Sequence, residues 1–521
     1  MKKKIKVTDR KGKRVEREVN YIPGRYIFAL FLTILETVSV LAIMIICNIY
    51  IPYFWIASLI TQVCVVISII CSNDNPDYKV PWLLFVMLLP VVGFMLYFLF
   101  YRRKLSRKFI KRINAINDSL ECNDNKVLNE LKEIDSLAYS EAVNLNTISR
   151  THIYNNTSVN YYEIGEKWHE ALLKDLREAK EFILFEFFIV EEGYFWDSIL
   201  NILANKTKNG VEVNVMWDDI GCMSTLSGSY YKKLKKKYGI NAIPFSRLKG
   251  QADNEFNNRN HRKILVIDGK VAYTGGINIA DEYINRVKRF GHWKDMGIRL
   301  EGEGVNELTK LFFIDFYSNV KNEAHDLNKY YKDYSLKSNG YIIPFGDGPK
   351  PIYEENVGKS VIMNMLNHAR EYVYITTPYL IVDSEMFNAI KNTALRGVDI
   401  RIIVPHIPDK KIVFEMTRST YEVLINSGVK IYEYEPGFVH GKLYFSDDNK
   451  AMIGTINLDY RSLTHHFENG VWIYNAECIL DMKKDYFETL NKCIYMNDNP
   501  VKVGMFKKLI RKIAKIFSPL L

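Results

Sequence analysis

His261-Arg-Lys-Ile-Leu-Val-Ile-Asp268 is matched further along the chain by His440-Gly-Lys-Leu-Tyr-Phe-Ser-Asp447. Counted from each histidine, lysine follows at +2 (Lys263, Lys442) and aspartate at +7 (Asp268, Asp447). Glycine follows at +14 (Gly275, Gly454) and asparagine at +17 (Asn278, Asn457). A repeat kept only for packing would preserve apolar and glycine positions. Here the shared residues include His, Lys and Asn, which cores rarely need. Two copies about 180 residues apart imply two similar lobes rather than a solenoid of short repeats.

The flanks repeat as well. Glu181-Phe-Ile-Leu-Phe185 corresponds to Glu371-Tyr-Val-Tyr-Ile375, and Gly210-Val-Glu-Val213 to Gly397-Val-Asp-Ile400. From about residue 155 short β-branched and aromatic runs alternate with helical segments, as at 182–190, 211–217, 264–267, 372–376 and 400–404. That alternation predicts an α/β fold of buried strands between helices. Duplicated lobes pair about a pseudo-twofold axis with a site at the seam.

The repeated residues suit phosphodiester chemistry. In a strand, residues i and i+2 face one side, so each histidine projects with its lysine. Two lobes then bring together two histidines, two lysines and two asparagines. Lysine supplies charge for phosphate oxygens and asparagine an amide donor. Gly275, Gly276 and Gly454 allow sharp turns or close approach. One neutral imidazole attacks phosphorus to give a phosphohistidine, and the other handles the proton of the leaving and incoming oxygens. Each needs an orienting carboxylate. Asp295, 34 residues after His261, and Glu468, 28 after His440, are assigned that role within their own lobes. Asp268 and Asp447 complete the repeated catalytic motif, but lie further along their strands and are expected to hold the seam. His465 and His466 are adjacent, which does not make a natural chelating pair, and a surface role is expected for them. No metal cluster and no cofactor is read. Seven cysteines without a CxxC pair argue against a disulfide framework or a zinc site.

Three apolar runs, 26–47, 49–71 and 80–101, are each long enough to cross a hydrocarbon core of roughly 30 Å. Ten Lys/Arg from Lys2 to Arg25 precede the first and seven from Arg102 to Arg112 follow the third. Both ends are therefore expected in the cytoplasm, which demands an even number of crossings. The first run, with Glu36 near its middle and only a short loop before the second, is expected to be re-entrant or interfacial. The expected division is a basic cytoplasmic segment (1–25), a transmembrane module of two to three helices (26–101), a basic connector (102–155), two lobes (156–340 and 341–500) and a tail (501–521). In the tail Phe506, Leu509, Ile510, Ile513 and Phe517 share one helical face and Lys507, Lys508, Arg511, Lys512 and Lys515 the other, predicting an interfacial helix on anionic lipid, the alternative being an amphipathic helix docked on the catalytic body. A net charge of +10 also favours anionic partners.

Together these residues resemble the phospholipase D superfamily with its duplicated HxKxxxxD motif, and more closely its bacterial cardiolipin synthases. The likeness extends through Ser72-Asn-Asp-Asn-Pro-Asp-Tyr-Lys-Val-Pro-Trp82, Leu89-Pro-Val-Val-Gly93, Asn258-Arg-Asn-His-Arg-Lys263, Thr274-Gly-Gly-Ile-Asn278 and Ala280-Asp-Glu-Tyr-Ile-Asn285. It continues in Pro405-His-Ile-Pro-Asp-Lys410, Gly454-Thr-Ile-Asn-Leu-Asp-Tyr-Arg-Ser462 and Ser518-Pro-Leu-Leu521. The resemblance implies two phospholipase D-type lobes behind a membrane module. It also implies conversion of two phosphatidylglycerols to cardiolipin and glycerol, without nucleotide or metal. By resemblance His261 is the nucleophile and His440 the acid/base; the near-equivalent motifs do not assign the order themselves. The family module is described with two spans, whereas this chain has three apolar runs. Competing readings are a related phosphatidyltransferase or a phospholipase using another donor or water. A nucleic-acid phosphodiesterase is disfavoured by the apolar runs, and a non-catalytic scaffold by the intact double motif. The sequence leaves oligomeric state and acyl-chain preference open.

Overall fold

The computed structural model describes residues 2–8, 14–20, scattered positions from 27 to 50, 51, 53–101, 107–118, 126–247, 258–320, 327–334, 336–500 and 504–520. They form two units. The larger contains an N-terminal antiparallel hairpin, β1 (Lys2–Thr8) and β2 (Arg14–Asn20), and both repeats.

The first repeat forms β3 (Thr157–Tyr162), β4 (Phe182–Phe187), β5 (Glu212–Asp218), β6 (Asn241–Phe245), β7 (Lys263–Ile267), β8 (Val271–Gly275), β9 (His292–Lys294) and β10 (Gly297–Gly302). Seven of these make one sheet in the order β3-β10-β8-β7-β4-β5-β6. The second repeat forms β11 (Tyr341–Asp347), β12 (Tyr372–Thr376), β13 (Leu380–Ile381), β14 (Asp399–Pro405), β15 (Lys430–Tyr434) and β16 (Gly437–Val439). It continues with β17 (Leu443–Ser446), β18 (Lys450–Gly454), β19 (Leu458–Asp459), β20 (Glu468–Tyr474) and β21 (Cys493–Tyr495). Its sheet runs β11-β20-β18-β17-β12-β14-β15-β21. Apart from β21, the two orders match strand for strand. One trio is parallel in each (β4-β5-β6, β12-β14-β15), and the strand between the motif histidine and aspartate, β7 or β17, runs antiparallel beside it.

The strand sequences are near-continuous apolar runs because helices cover both faces. Every residue of β4 is buried. The helices Gly165–Glu178 and Tyr194–Lys208 present Trp168, Leu172, Leu176, Phe195, Ile199 and Leu203 to the first core at helical spacing. The helices of the expected connector, Arg107–Asp118 and Ser136–Ser149, also pack into this unit. Phe109 lies against Phe245 and Phe467, and Glu141 accepts from Lys450 at 2.8 Å.

The lobes meet along backbone. Short β9 and β16 pair in parallel, Phe438 opposite Trp293, and Asn260 bridges Phe467. Gly275 and Gly454 permit neighbouring strands to come close: a Cβ at Gly275, whose φ is +146, would lie 2.5 Å from Gly297 Cα, and one at Gly454 2.3 Å from Asn469 O.

In the smaller unit helices Phe54–Ile70, Pro76–Leu88 and Pro90–Leu96 pack through Val65, Ile69, Trp82, Val86 and Tyr97. The C-terminal helix Met505–Ile516 belongs here, with Phe517 5.6 Å from Phe85. Among the described residues no helix is long and apolar enough to cross a membrane. The second apolar run folds into a 17-residue helix. The third is divided at Leu89, because Pro90 has no N–H to continue the ladder and restricts the residue before it. The first run, with Glu36, lies mostly outside the described residues. Trp55, Ile56, Leu59, Ile60, Val63, Ile67 and Ile70 of the second run are exposed, as are Met505, Phe506, Leu509 and Ile510 of the tail.

Candidate active site

Buried Asp218 accepts from Arg259 Nε at 2.9 Å and from the Asn260 N–H at 3.0 Å, fixing the chain as it approaches β7. The next residue, His261, donates its N–H to Phe467 O at 2.8 Å. In the other lobe the His440 N–H donates to Lys294 O at 2.7 Å. Phe467 and Lys294 immediately precede Glu468 and Asp295. Each histidine is thus pinned by its backbone beside the carboxylate of the opposite lobe.

The side chains follow. His261 Nδ1 is 2.9 Å from both Glu468 oxygens, and His440 Nδ1 is 2.7 Å from Asp295 Oδ2. This corrects the expected pairing of His261 with Asp295 and His440 with Glu468. Proximity in sequence suggested partners within a lobe, whereas the backbone bonds across the seam exchange them.

The lysines enter with their histidines. Lys263 Nζ donates to His261 O at 2.7 Å. Lys442 Nζ donates to His440 O and lies 3.0 and 3.1 Å from the His440 ring nitrogens. Asn278 is committed to protein at both ends of its amide: Oδ1 accepts from Ile189 N–H at 3.1 Å and Nδ2 donates to Tyr283 OH at 2.9 Å. Asn457 is buried and its Oδ1 has no hydrogen-bond partner among the described residues.

Asp268 and Asp447 are elsewhere, at the far ends of β7 and β17. Asp268 accepts the N–H groups of Lys180, Glu181 and Phe182 at 2.7–2.9 Å. Asp447 accepts those of Arg370, Glu371 and Tyr372 at 2.8–3.0 Å. Six residues lie between either aspartate and its histidine, five of them strand in β7 and four in β17, at roughly 3.2–3.4 Å each. They clamp the start of the adjacent antiparallel strand, β4 or β12, inside one lobe, and belong neither to the seam nor to the group around the histidines.

Electrostatics set the protonation states. Burial pushes His261 down to about 3, against the upward pull of Glu468. Burial and Lys442 push His440 down to about 4 despite Asp295. Both imidazoles are therefore neutral at pH 7. Burial alone would raise Glu468 and Asp295, but the facing histidines hold both below the usual carboxylate range. Burial, and for Lys263 repulsion from Lys442, lowers Lys263 to about 7 and Lys442 to about 8.

Several neighbours were not read from the sequence. Arg262, fully buried, pairs with Asp315 at 2.8 Å and donates across the seam to Glu468 O at 3.0 Å and Asp347 O at 3.2 Å. Its place between His and Lys was the available signal, since a strand face packed against another lobe seldom holds an unpaired Arg. Thr455 donates to Glu468. At the matching position of the first lobe, a Cβ on Gly276 would lie 2.1 Å from Asp295 Oδ1, which takes the Met296 N–H at 2.9 Å instead. His466, expected at the surface, packs with its ring centroid 5.6 Å from that of His261. The short helix Tyr460–Thr464 turns the chain inward, and the Phe467–Asn260 bridge sends residues 466 and 468 to one side. Among the described residues His261, His466 and Glu468 form one group with three potential metal-donor atoms within 4.8 Å of one another.

Residues 172–290 and 362–490 match the family described as "Cardiolipin synthase, PLD-like domain", and residues 62–102 match "Phospholipase_D-nuclease N-terminal". A cardiolipin synthase of Clostridium perfringens is 32% identical over 465 residues, covering 86% of this chain and 95% of its own. One of Alkalihalophilus pseudofirmus is 33% identical, covering 87% and 91%. An uncharacterized protein of Streptococcus mutans is 43% identical, covering 88% and 99%. The crystal structure of phosphatidylserine synthase from Haemophilus influenzae has the same fold, with a TM-score of 0.54 at 16% identity over 74% of this chain and 98% of that one. On the two matched repeats and on relatives alike over nearly their whole length, the chain belongs to the cardiolipin synthase family of phospholipase D-like proteins.

Proposed function

We propose that the enzyme transfers the phosphatidyl group of one phosphatidylglycerol to the terminal hydroxyl of a second, giving cardiolipin and glycerol through a phosphohistidine. The observation that carries this is the exchanged clamp: each imidazole is held through Nδ1 by a carboxylate of the other lobe, so its reactive nitrogen is Nε2. His261 is the nucleophile. Its Nδ1–H is committed to Glu468, its ring is neutral, and among the described residues no side chain is hydrogen-bonded to its Nε2. Nε2 attacks phosphorus, the P–O bond to glycerol breaks, and His440 gives that oxygen a proton. His440 then takes the proton of the incoming hydroxyl as its oxygen attacks phosphorus and the N–P bond breaks. Lys263, Lys442 and Asn457 hold the phosphoryl oxygens in this scheme, while Asn278, bonded to Ile189 N–H and Tyr283 OH, braces the wall of the site. The arriving anion draws the two lysines and His440 back toward their charged forms.

The apolar surfaces of the helix Phe54–Ile70 and of the tail fit a bilayer. We place residues 26–101 in the cell membrane, with 1–25, the connector and both lobes on its cytoplasmic side and the tail at the interface. Cysteines at residues 10 and 105 should both resist a membrane-impermeant label applied outside; labelling at either sinks this topology. For the reaction, detergent-solubilised enzyme is given labelled phosphatidylglycerol alone. Cardiolipin and free glycerol, absent with His261→Ala and with His440→Ala, are expected. Phosphatidic acid without cardiolipin would make water the acceptor and overturn the transferase reading.

A further inference from the structure

Seven histidines of the larger unit have a ring nitrogen 2.7–3.0 Å from a carboxylate or hydroxyl: His152, His169, His261, His292, His368, His406 and His440. His466 does not. Neither of its ring nitrogens has a hydrogen-bond partner among the described residues, and both are shut off from water. Its side chain is only 12% exposed, and the nearest carboxylate oxygen, Glu468 Oε1, is 3.6 Å from Nδ1. Buried polar groups are nearly always hydrogen-bonded, so a buried imidazole whose nearest carboxylate oxygen is 3.6 Å away has room for a closer partner.

The surroundings say which kind. Two imidazoles and one carboxylate converge, their donor atoms within 4.8 Å of one another. Bonds of about 2.0–2.2 Å to a tetrahedral ion put ligand atoms roughly 3.3–3.5 Å apart, close to the 2.9 and 3.6 Å separations at Glu468. Imidazole with carboxylate suits zinc, cobalt, nickel or copper rather than calcium or magnesium.

We infer that His261, His466 and Glu468 form a binding site for a divalent transition-metal ion, and that its occupation switches the enzyme off. The ion takes the Nδ1 lone pair of His261, and the proton that Nδ1 held moves to Nε2. Nε2 then has no lone pair with which to attack phosphorus. No electron is transferred, and a chelator reverses the change. The loss of activity rests on His261 being the nucleophile; the binding itself does not.

Metal-free enzyme is titrated with Co2+ and its visible absorption followed, beside activity measured with and without Zn2+. A cobalt band of a four-coordinate site is expected in the wild type. It should weaken at least tenfold in apparent affinity in His466→Gln and disappear in His466→Gln/Glu468→Gln. Micromolar Zn2+ should abolish cardiolipin formation reversibly in the wild type and inhibit His466→Gln at least tenfold less. No cobalt band, or a band unchanged by His466→Gln, overturns the site. A band lost on substitution without any zinc inhibition keeps the site and removes His261 as nucleophile. If His466→Gln does not fold, the imidazole 15N signals of His261 and His466 in the wild type decide, since both must move on adding Zn2+.

Discussion

The two carboxylates at the centre do the same job in unlike settings. Glu468 receives His261 and Thr455, whereas Asp295 receives His440 and one backbone N–H. Glu468→Gln and Asp295→Asn should each lower kcat roughly 100- to 10,000-fold, because the amide no longer fixes the imidazole tautomer. Ring 15N shifts distinguish the exchanged pairing: Asp295→Asn should move the signals of His440 and leave those of His261. The lysines make binding depend on pH. Lys263 at about 7 and Lys442 at about 8 lie below free lysine, and a bound phosphodiester pulls both up. Binding therefore takes up protons, and KM should rise as pH increases from about 7 through 8. A KM flat across that range would count against the lysines as phosphate ligands. The histidines and lysines were legible as residue types, since a repeat that keeps such types has a chemical reason to, and the two carboxylates were legible from the need of each imidazole for an orienting partner. Who bonds whom was not, because the bonds cross between segments about 200 residues apart, as in His261–Glu468.

At the scale of the element, the motif strand has a chemical end and a structural end. His261 precedes β7 and Lys263 opens it, and Asp268, just past its end, gathers three N–H groups around the start of β4. Asp268→Ala leaves those donors to solvent or unsatisfied and places alanine at a φ of +53, in the left-handed region. We expect a loss of about 2 kcal/mol in denaturant unfolding, with kcat of the folded protein within a few-fold of wild type. A fall in kcat comparable to that of His261→Ala would return Asp268 to the catalytic group. The sequence predicted β4, β5, β7, β12 and β14 well, because apolar runs buried on both faces have little else to form. It treated 102–155 as a connector because its surface is polar; Phe109 and Glu141 reach into the lobes from helices whose outer faces carry that polarity. The third apolar run was read as one span, and Pro90 divides it.

For the whole molecule, the seam is where stability and acid sensitivity meet. The imidazoles of His261 and His440 have folded-state pKa values depressed to about 3 and 4, below the roughly 6.5 of an unfolded histidine. Between those values the unfolded chain binds more protons, so acid favours unfolding. Their contribution is fully present above about pH 6.5 and is lost as pH falls from there toward 4. The lowered carboxylates Asp295 and Glu468 add to the loss below about pH 4. Urea midpoints measured from pH 8 to 5 should fall, and the fall should shrink in His440→Asn. Arg262→Leu tests the same seam differently. It removes the buried guanidinium that ties the entry to β7 to Glu468 O and Asp347 O, leaves Asp315 without its counter-charge, and should cost about 3–5 kcal/mol. The exchange of carboxylates also bears on ancestry. A clamp in which each half completes the other works equally well on one chain or between two identical chains, so it suits a duplicated gene whose single-copy product paired with itself. Joined on one chain, the copies are free to change separately. Arg262 opposite Gly441, and Thr455 opposite Gly276, mark where symmetry has given way to division of labour.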